Sequence, residues 1–397
     1  MQPNLRTIEN ILTLRYDPSR RPGRMPLTAL DFKPARTDKL VVGSTITDIM
    51  RKDVFRMKFS NASILLSGGV DSVLTLAMIR SLRPEVKLSC ISMGFGEDDD
   101  EISASKEIAR ELDCDFYPLV KANILAELPK LVSISKEPRW NLYQFYALEL
   151  ARSKSDLIFS GDGGDELFGG YTFRYRKYLS RFRRASGWKQ LTRLYLSCHE
   201  RDWVPDQHKI FGPKMRFSWD RIYGLIGRYF QNSLNPLDQV FLADINGKLM
   251  YDWMPGNIAF EKFLNAKIAS LFLSERMVAF ATHLPWQLKY DPRTGVGKLP
   301  LRLILRRQIR QIEPAKKGFS VNTISLWKRD KEIICQYVNN ESQVVKAGII
   351  SNAWLDSART KLDSLNVRYI NKMLGLLALE VWWRLNVGRT MKKTARL

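Results

Sequence analysis

The chain has 397 residues, 45% of them hydrophobic and 26% charged, which is enough apolar content for packed cores in two domains of ordinary size. Its 63 Lys and Arg against 41 Asp and Glu give a formal charge of +22, an excess that suits either polyanionic partners or a generally basic, solvated surface. The four cysteines, Cys90, Cys114, Cys198 and Cys335, lie far apart without a CxxC pair, which argues against a zinc site and a disulfide framework and for a reducing compartment.

The first residues, MQPNLRTIEN, lack the apolar run of a secretory signal. Residues 1–58 read as an N-terminal extension, with helical periodicity in TIENILTL and STITDIMRKDVF around a basic loop, RYDPSRRPGRMP. From Ala62 the pattern changes. ASILLS, KLSCISMGF, DFYPLV and DLIFS read as strands. VLTLAMIRSL, DEISASKEIARELD, NILAELPKLVSI and NLYQFYALELARSK read as the helices between them. This alternation over residues 59–171 predicts an α/β core with a doubly wound parallel sheet.

Residues 172–240 read as a basic helical insertion. Between 172 and 235 there are 14 Lys and Arg against 4 Asp and Glu, with aromatics interleaved as in YTFRYRKYLSRFRR. Such a composition fits RNA or another polyanion, and equally a helical cover over a site. Residues 241–397 read as a largely helical C-terminal part, in SERMVAFATHL, LPLRLILRRQI and VRYINKMLGLLALEVWWRL. Its most apolar stretch, MLGLLALEVWW, contains Glu380 and falls short of the ~20 residues that span a bilayer, so the expectation is a cytoplasmic protein without a membrane partner.

Two turns carry the chemistry. SGGVDS (67–72) follows the first predicted strand and opens a helix, and SGDGGDELFGGY (160–171) follows the fourth. In an open parallel sheet, ligands bind beyond the C-terminal strand ends. The glycines of SGGVDS let backbone amides approach an anion, the following helix N-terminus favours phosphate, and Ser67 and Ser72 add hydroxyls. Asp71 would repel bare phosphate but suits Mg²⁺, which binds carboxylate and phosphate oxygens together. Asp165 supplies a second carboxylate from the second turn. The pattern GxxxxGK[ST] is absent, so this is not an ordinary P-loop. The three histidines, His199, His208 and His283, match no motif.

At these residues the chain resembles the synthetase domain of the asparagine synthetase family, an ATP pyrophosphatase fold with an SGGxDS loop. SGDGGDELFGGY is similar to the family's second signature. GVGKLPLRLILRRQI with KKGFSVNTISLW resembles its GKxxLR and KxGF stretches, and Glu137-Pro138 matches an acidic-Pro feature. The resemblance spans about Ser60 to Trp327. It implies that ATP adenylates a small carboxylate, PPi leaves, and ammonia or an amine attacks to give an amide. On the matching positions, Ser67, Gly68, Gly69, Asp71 and Ser72 would hold the PPi end. Leu66, Met93, Ser160 and Gly161 would line the adenosine site, largely through backbone, and Asp71 and Asp165 would bind Mg²⁺. Asp162 would lie near the reacting amine, and Lys298 would neutralise charge building on the α-phosphate and PPi, with Lys317 as a second candidate.

Three departures bear on the substrate. Position 2 is Gln2 where glutamine-dependent members carry a nucleophilic Cys, so the expectation is nitrogen from ammonia, an amine or a separate glutaminase. NAKIASLFLSE stands where an EARVPFLD-like stretch is usual, and Asn322 follows KKGF where a Pro is usual. An aspartate-like carboxylate is the first reading. Amidation or cyclisation of another carboxylate, as in β-lactam and macrolactam synthetases, or modification of a bound RNA, is the second. A non-catalytic nucleic-acid or protein-binding scaffold is the third.

Overall fold

The computed structural model describes residues 2–35, 37–96, 100–309 and 321–397, with the side chain of Asp100 outside the description. Five parallel strands form the central sheet: β1 (Asn61–Leu65), β2 (Lys87–Gly94), β3 (Asp115–Val120), β4 (Leu157–Phe159) and β5 (Lys267–Ala269). Their order is β3-β2-β1-β4-β5. The chain therefore winds outward from β1 to one edge, then returns to place β4 on the other side of β1. The crevice between β1 and β4 is the topological switch point, where ligands bind in open α/β sheets.

Side chains alternate across the sheet as its pleat requires. Ala62, Ile64 and Leu66 pack on one face with helix Val70–Leu82 and helix Lys39–Arg56. Ile91, Met93 and Ile158 pack on the other with helix Gln144–Arg152 and the long C-terminal helix Val367–Asn386. With helices burying both faces, the doubly wound α/β core expected from the sequence is what the chain forms. Glu380, within the apolar stretch of the last helix, is fully buried. Its carboxylate accepts from the amides of Gln343 and Val344, both at 3.0 Å, and from Arg384 Nε at 2.6 Å. These charge-assisted bonds account for a carboxylate in an apolar run. No helix among the described residues is long and apolar enough to cross a membrane.

Two elements were not anticipated. The stretch NAKIAS supplies β5 at the sheet edge, pairing Leu157 with Lys267 through Phe159 with Ala269. A two-stranded hairpin, β6 (Tyr290–Asp291) and β7 (Val296–Gly297), stands apart from the main sheet. The helical run Ile245–Trp253 is π-helical and continues into helix Met254–Leu264, which has Pro255 in its first turn. π-Helical geometry is rare and recurs at functional sites.

Candidate active site

β1 ends at Leu65 and β4 at Phe159, which lie side by side through the pairing of Ser63 with Ile158 and Ile64 with Phe159. The two glycine-rich turns therefore emerge together. Gly68 adopts φ +66°, a left-handed conformation that a side chain would oppose. Gly69 caps helix Val70–Leu82 without a side-chain hydrogen bond, so the first helix amides are left for an anion. Ser72 Oγ donates to the Gly69 carbonyl (3.1 Å), accepts from Ser67 N (3.2 Å) and lies 3.2 Å from Ser67 Oγ. These bonds hold the turn as a small ring. Leu66 and Met93 are buried in the core.

The second turn presses against the first. A Cβ on Gly161 would lie 2.9 Å from Asp71 Cβ, and one on Gly164 only 2.3 Å from Asp71 Cγ. The absence of side chains here is a steric condition for seating Asp71 between the turns.

Lys298 arrives from the hairpin. Its amide donates to the Phe168 carbonyl at 2.9 Å, and it caps helix Leu299–Gln308 in the left-handed conformation, φ +57°. The preceding glycine, Gly297, serves close approach, since a Cβ there would lie 1.9 Å from the Gly169 carbonyl oxygen. The left-handed residue is the lysine itself. Lys298 Nζ lies 2.6 Å from Asp71 Oδ2 and 2.7 Å from Asp165 Oδ1.

Two carboxylates thus share one ammonium, which leaves one negative charge in excess. Burial pushes the Asp71 carboxyl up to about 6 against the pull of Lys298, with Asp165 adding to the rise. Burial alone would draw the Lys298 ammonium down. The two carboxylates outweigh it and hold it above the ordinary lysine range. Asp71 Oδ1 is buried without a hydrogen-bond partner. An orphaned carboxylate oxygen beside a second carboxylate is an oxygen-only donor set with excess negative charge. That fits a hard divalent cation, which takes its remaining ligands from phosphate and water.

Asp162 is on the same turn, but its carboxylate is committed elsewhere. It accepts from Ser160 Oγ (2.9 Å), Trp253 Nε1 (2.6 Å) and Asn257 Nδ2 (2.8 Å). Burial raises its pKa, opposed by these three donors. Trp253 and Asn257 are four residues apart on the run Ile245–Leu264, on one helix face. Neither was predicted as a site residue. Glu166, also on the second turn, accepts from Tyr171 Oη at 2.5 Å, and burial next to Asp165 pushes it up to about 7.

The structure therefore brings Asp71, Asp165 and Lys298 to one point, with Ser67 to Ser72 and Ser160 to Gly161 around it. It places Asp162 against a different wall. Lys317 lies outside the described residues. Part of the basic insertion proves to be internal. Arg174 is buried, with Nη1 3.0 Å from Asp244 Oδ1, and Asp244 also accepts from Tyr195 Oη at 2.8 Å. Lys177 pairs with Glu200 and Lys189 with Asp220. Arg181, Arg183 and Arg184 are exposed.

The asparagine synthase family profile matches residues 55–384. The chain is 26% identical over 408 aligned positions to asparagine synthetase 1 (glutamine-hydrolysing) of Bacillus subtilis, covering 90% of this chain and 62% of the relative, so it spans less than two thirds of that protein. Among solved structures, similarity is distant. A U34-tRNA thiolase from Methanococcus maripaludis, solved with its 4Fe–4S cluster, aligns with 15% identity and TM-score 0.27 over 70% of this chain and 83% of its own. An NH3-dependent NAD synthetase from Campylobacter jejuni aligns with 15% identity and TM-score 0.25 over 33% of this chain and 60% of its own. With the profile covering most of the sequence and both glycine-rich turns, the chain belongs to the asparagine synthase family.

Proposed function

We propose that the chain is an ATP-dependent ligase that adenylates a carboxylate with release of PPi and joins ammonia or an amine to the activated acyl group as an amide, with AMP as the leaving group. The observation that carries this reading is the Lys298 ammonium bridging Asp71 and Asp165 at the switch point between β1 and β4. In it, the amides at the start of helix Val70–Leu82 and the hydroxyls of Ser67 and Ser72 hold the β- and γ-phosphates. Asp71 and Asp165 hold Mg²⁺, which offsets the charge of the bound triphosphate. Lys298 then turns from the carboxylates to the α-phosphate, where negative charge grows as the carboxylate oxygen attacks and the bond to PPi breaks. A buried ammonium stabilises that charge more in the transition state than in the ground state. The backbone of Leu66, Met93, Ser160 and Gly161 faces the nucleoside, and Asp162 stands on the side where the amine enters.

An aspartate-like acid is the first substrate to test. NAKIAS in place of the usual Glu-Ala-Arg stretch keeps other carboxylates in the panel. ATP–PPi exchange with the purified chain, run over a set of carboxylic acids, tests the first half-reaction. Amide formation from aspartate with ammonium, or with glutamine, tests the second. Exchange with none of the acids would remove the ligase reading and leave a non-catalytic scaffold.

A further inference from the structure

Cys90 and Cys114 are apart in sequence, and the pairing of β2 with β3 brings them together. The register sets Ser89 against Asp115 and Cys90 against Phe116, so Cys114 stands just ahead of the ladder and diagonal to Cys90. Leu88 and Cys90 face one core, and Cys114 and Phe116 pack against it, so both thiols lie on the same face of the sheet. The two thiols are hydrogen-bonded to each other. Cys90 is fully buried and Cys114 half-buried.

Arg80 closes the other side of Cys114. It comes from the last turn of helix Val70–Leu82, whose first turn carries Asp71. Its five N–H donors all find acceptors. Nε donates to the Leu112 carbonyl at 2.9 Å, Nη1 to those of Pro84 (2.9 Å) and Val86 (3.1 Å), and Nη2 to that of Asp113 (2.7 Å). The last goes to Cys114 Sγ at 3.4 Å. None of the five acceptors is a carboxylate, so the sulfur is the one among them that can carry a negative charge. A guanidinium beside a partly exposed sulfur is the setting in which a thiolate forms.

The other charges nearby are Asp113 and, on the neighbouring position of β3, Asp115, which Lys87 pairs at 3.5 Å. The hydrogen bond from Cys90 is the largest influence on the Cys114 thiol. With Arg80, and against burial, it draws that thiol down to about 7. The same bond, together with burial, keeps Cys90 protonated, well above the ordinary thiol range. A thiolate with access to solvent and a second thiol in contact is the arrangement of a peroxide-sensitive pair.

We propose that Cys114 and Cys90 form a reversible redox pair, in which Cys114, held by Arg80, is the thiolate that a peroxide oxidises and Cys90 is the thiol that resolves it into a disulfide joining β2 to β3. The Cys114 sulfur attacks one peroxide oxygen and the O–O bond breaks. The sulfur becomes a sulfenic acid, and the departing hydroxide takes up a proton as water. The Cys90 sulfur then attacks the sulfenic sulfur, the S–O bond breaks, and the hydroxyl leaves with the Cys90 proton as a second water. The two sulfurs together lose two electrons and the peroxide gains them. Because Cys114 precedes β3 while the glycine-rich turns follow β1 and β4, the pair lies at the opposite end of the sheet and is independent of the ligase reading.

The test is peptide mass spectrometry on the reduced, purified chain. Brief exposure to iodoacetamide at about pH 7 should label Cys114 roughly tenfold faster than Cys335, the exposed cysteine, whose thiol is raised by burial of its sulfur. The larger thiolate fraction of Cys114 outweighs the lower nucleophilicity of a weaker base. One equivalent of hydrogen peroxide should give a peptide linking Cys90 to Cys114, which dithiothreitol removes. In Cys90→Ala the link should be absent and Cys114 should be trapped by dimedone as its sulfenic acid. Arg80→Met should slow the labelling of Cys114 several-fold at about pH 7, leave Cys335 unchanged, and recover at about pH 9.5, where an ordinary thiol is ionised. A merely structural loss would not recover with pH. The Cys90→Ala readout keeps the test valid should Arg80→Met fail to fold. The pair is overturned if Cys335 labels as fast as Cys114, if peroxide gives no link between Cys90 and Cys114, or if a folded Arg80→Met labels as the wild type does.

Discussion

Lys298 Nζ sits 2.6 Å from Asp71 Oδ2, and the same ammonium reaches Asp165 Oδ1 at 2.7 Å, so one cation from the hairpin ties together the loops that follow β1 and β4. These are also the two carboxylates assigned to Mg²⁺ in the proposed function. On that proposal the lysine would screen the two carboxylates from each other until metal and phosphate bind, and would then be free to follow the negative charge to the α-phosphate.

Lys298→Ala should therefore lower kcat by roughly two to three orders of magnitude, the range seen when one electrostatic stabiliser is removed. ATP affinity should change much less, since on the proposed reading helix amides and Mg²⁺ would carry most of the phosphate binding. Lys298→Arg should not restore activity. A Cβ at Gly170 would already lie 2.5 Å from Lys298 Cε, so a planar guanidinium has no room to replace the compact ammonium. Steady-state kinetics with ATP binding measured separately decide this. An unchanged kcat with a large rise in KM for ATP would reduce Lys298 to a binding residue.

A pH profile follows from Asp71. With its carboxyl pushed up to about 6, chiefly by burial, the protonated form that cannot bind metal accumulates below that pH. kcat/KM should rise through an acid limb near pH 6, and raising Mg²⁺ should move the limb downward, because metal and proton compete for the same oxygens. Glu166, pushed up to about 7, titrates nearby, and Glu166→Gln separates the two. A limb that stays fixed as Mg²⁺ is varied would take Asp71 out of the metal site.

The glycines of the second turn give a steric test. A Cβ at Gly164 would meet Asp71 Cγ at 2.3 Å, and one at Gly170 would meet Asp165 Oδ1 at 1.6 Å. Each alanine must displace a carboxylate, and a shift of about 1 Å in a catalytic constellation costs on the order of a hundredfold. Gly170→Ala should lose activity with little change in Tm, since the Asp165 side chain is 39% exposed and can swing outward. Gly164→Ala presses on a buried carboxylate and should lose stability as well. Gly224→Ala, which meets nothing within 4 Å, is the control. Wild-type activity in both site variants would mean that Asp71 and Asp165 tolerate displacement and do not form a fitted site.

What could be read in the sequence divides along contact range. The turn at Ser67 to Ser72 lies within one strand–turn–helix unit, where glycine, serine and aspartate announce their own geometry. The doubly wound core was equally legible, because strand and helix periods alternate over short distances. Trp253 and Asn257 were invisible, since their link to Asp162 spans 91 and 95 residues and nothing in WMPGN marks it. β5 was missed because only three residues pair, at a sheet edge and within a polar stretch. The basic insertion could not be resolved from composition alone. The count of Lys and Arg does not distinguish Arg174, buried against Asp244, from Arg183 and Arg184 at the surface.

That buried cluster supports the last prediction. His199 lies against Arg174 in the core of the insertion, and its Nδ1 is 3.0 Å from the Tyr195 carbonyl. Burial, followed by the charge of Arg174, pushes its pKa down to about 3. The folded state therefore holds His199 neutral between about pH 3 and the ordinary histidine value, while the unfolded chain takes up a proton there. The unfolded state binds more protons, so this residue's contribution to stability is present above about pH 6.5 and is lost as pH falls toward 3. Asp71 and Glu166, with raised values, act in the opposite sense over part of that window, so the total slope is a balance. A difference measurement isolates the histidine. His199→Asn should remove about one proton's worth of slope, about 1.4 kcal/mol per pH unit, from chemical unfolding curves taken between pH 6.5 and 4.5. Arg174→Ala, by contrast, leaves Asp244 buried without its cation and should cost about 3–5 kcal/mol near neutral pH. If the wild-type and His199→Asn curves run parallel, the imidazole titrates alike in both states and is not held neutral by its burial beside Arg174.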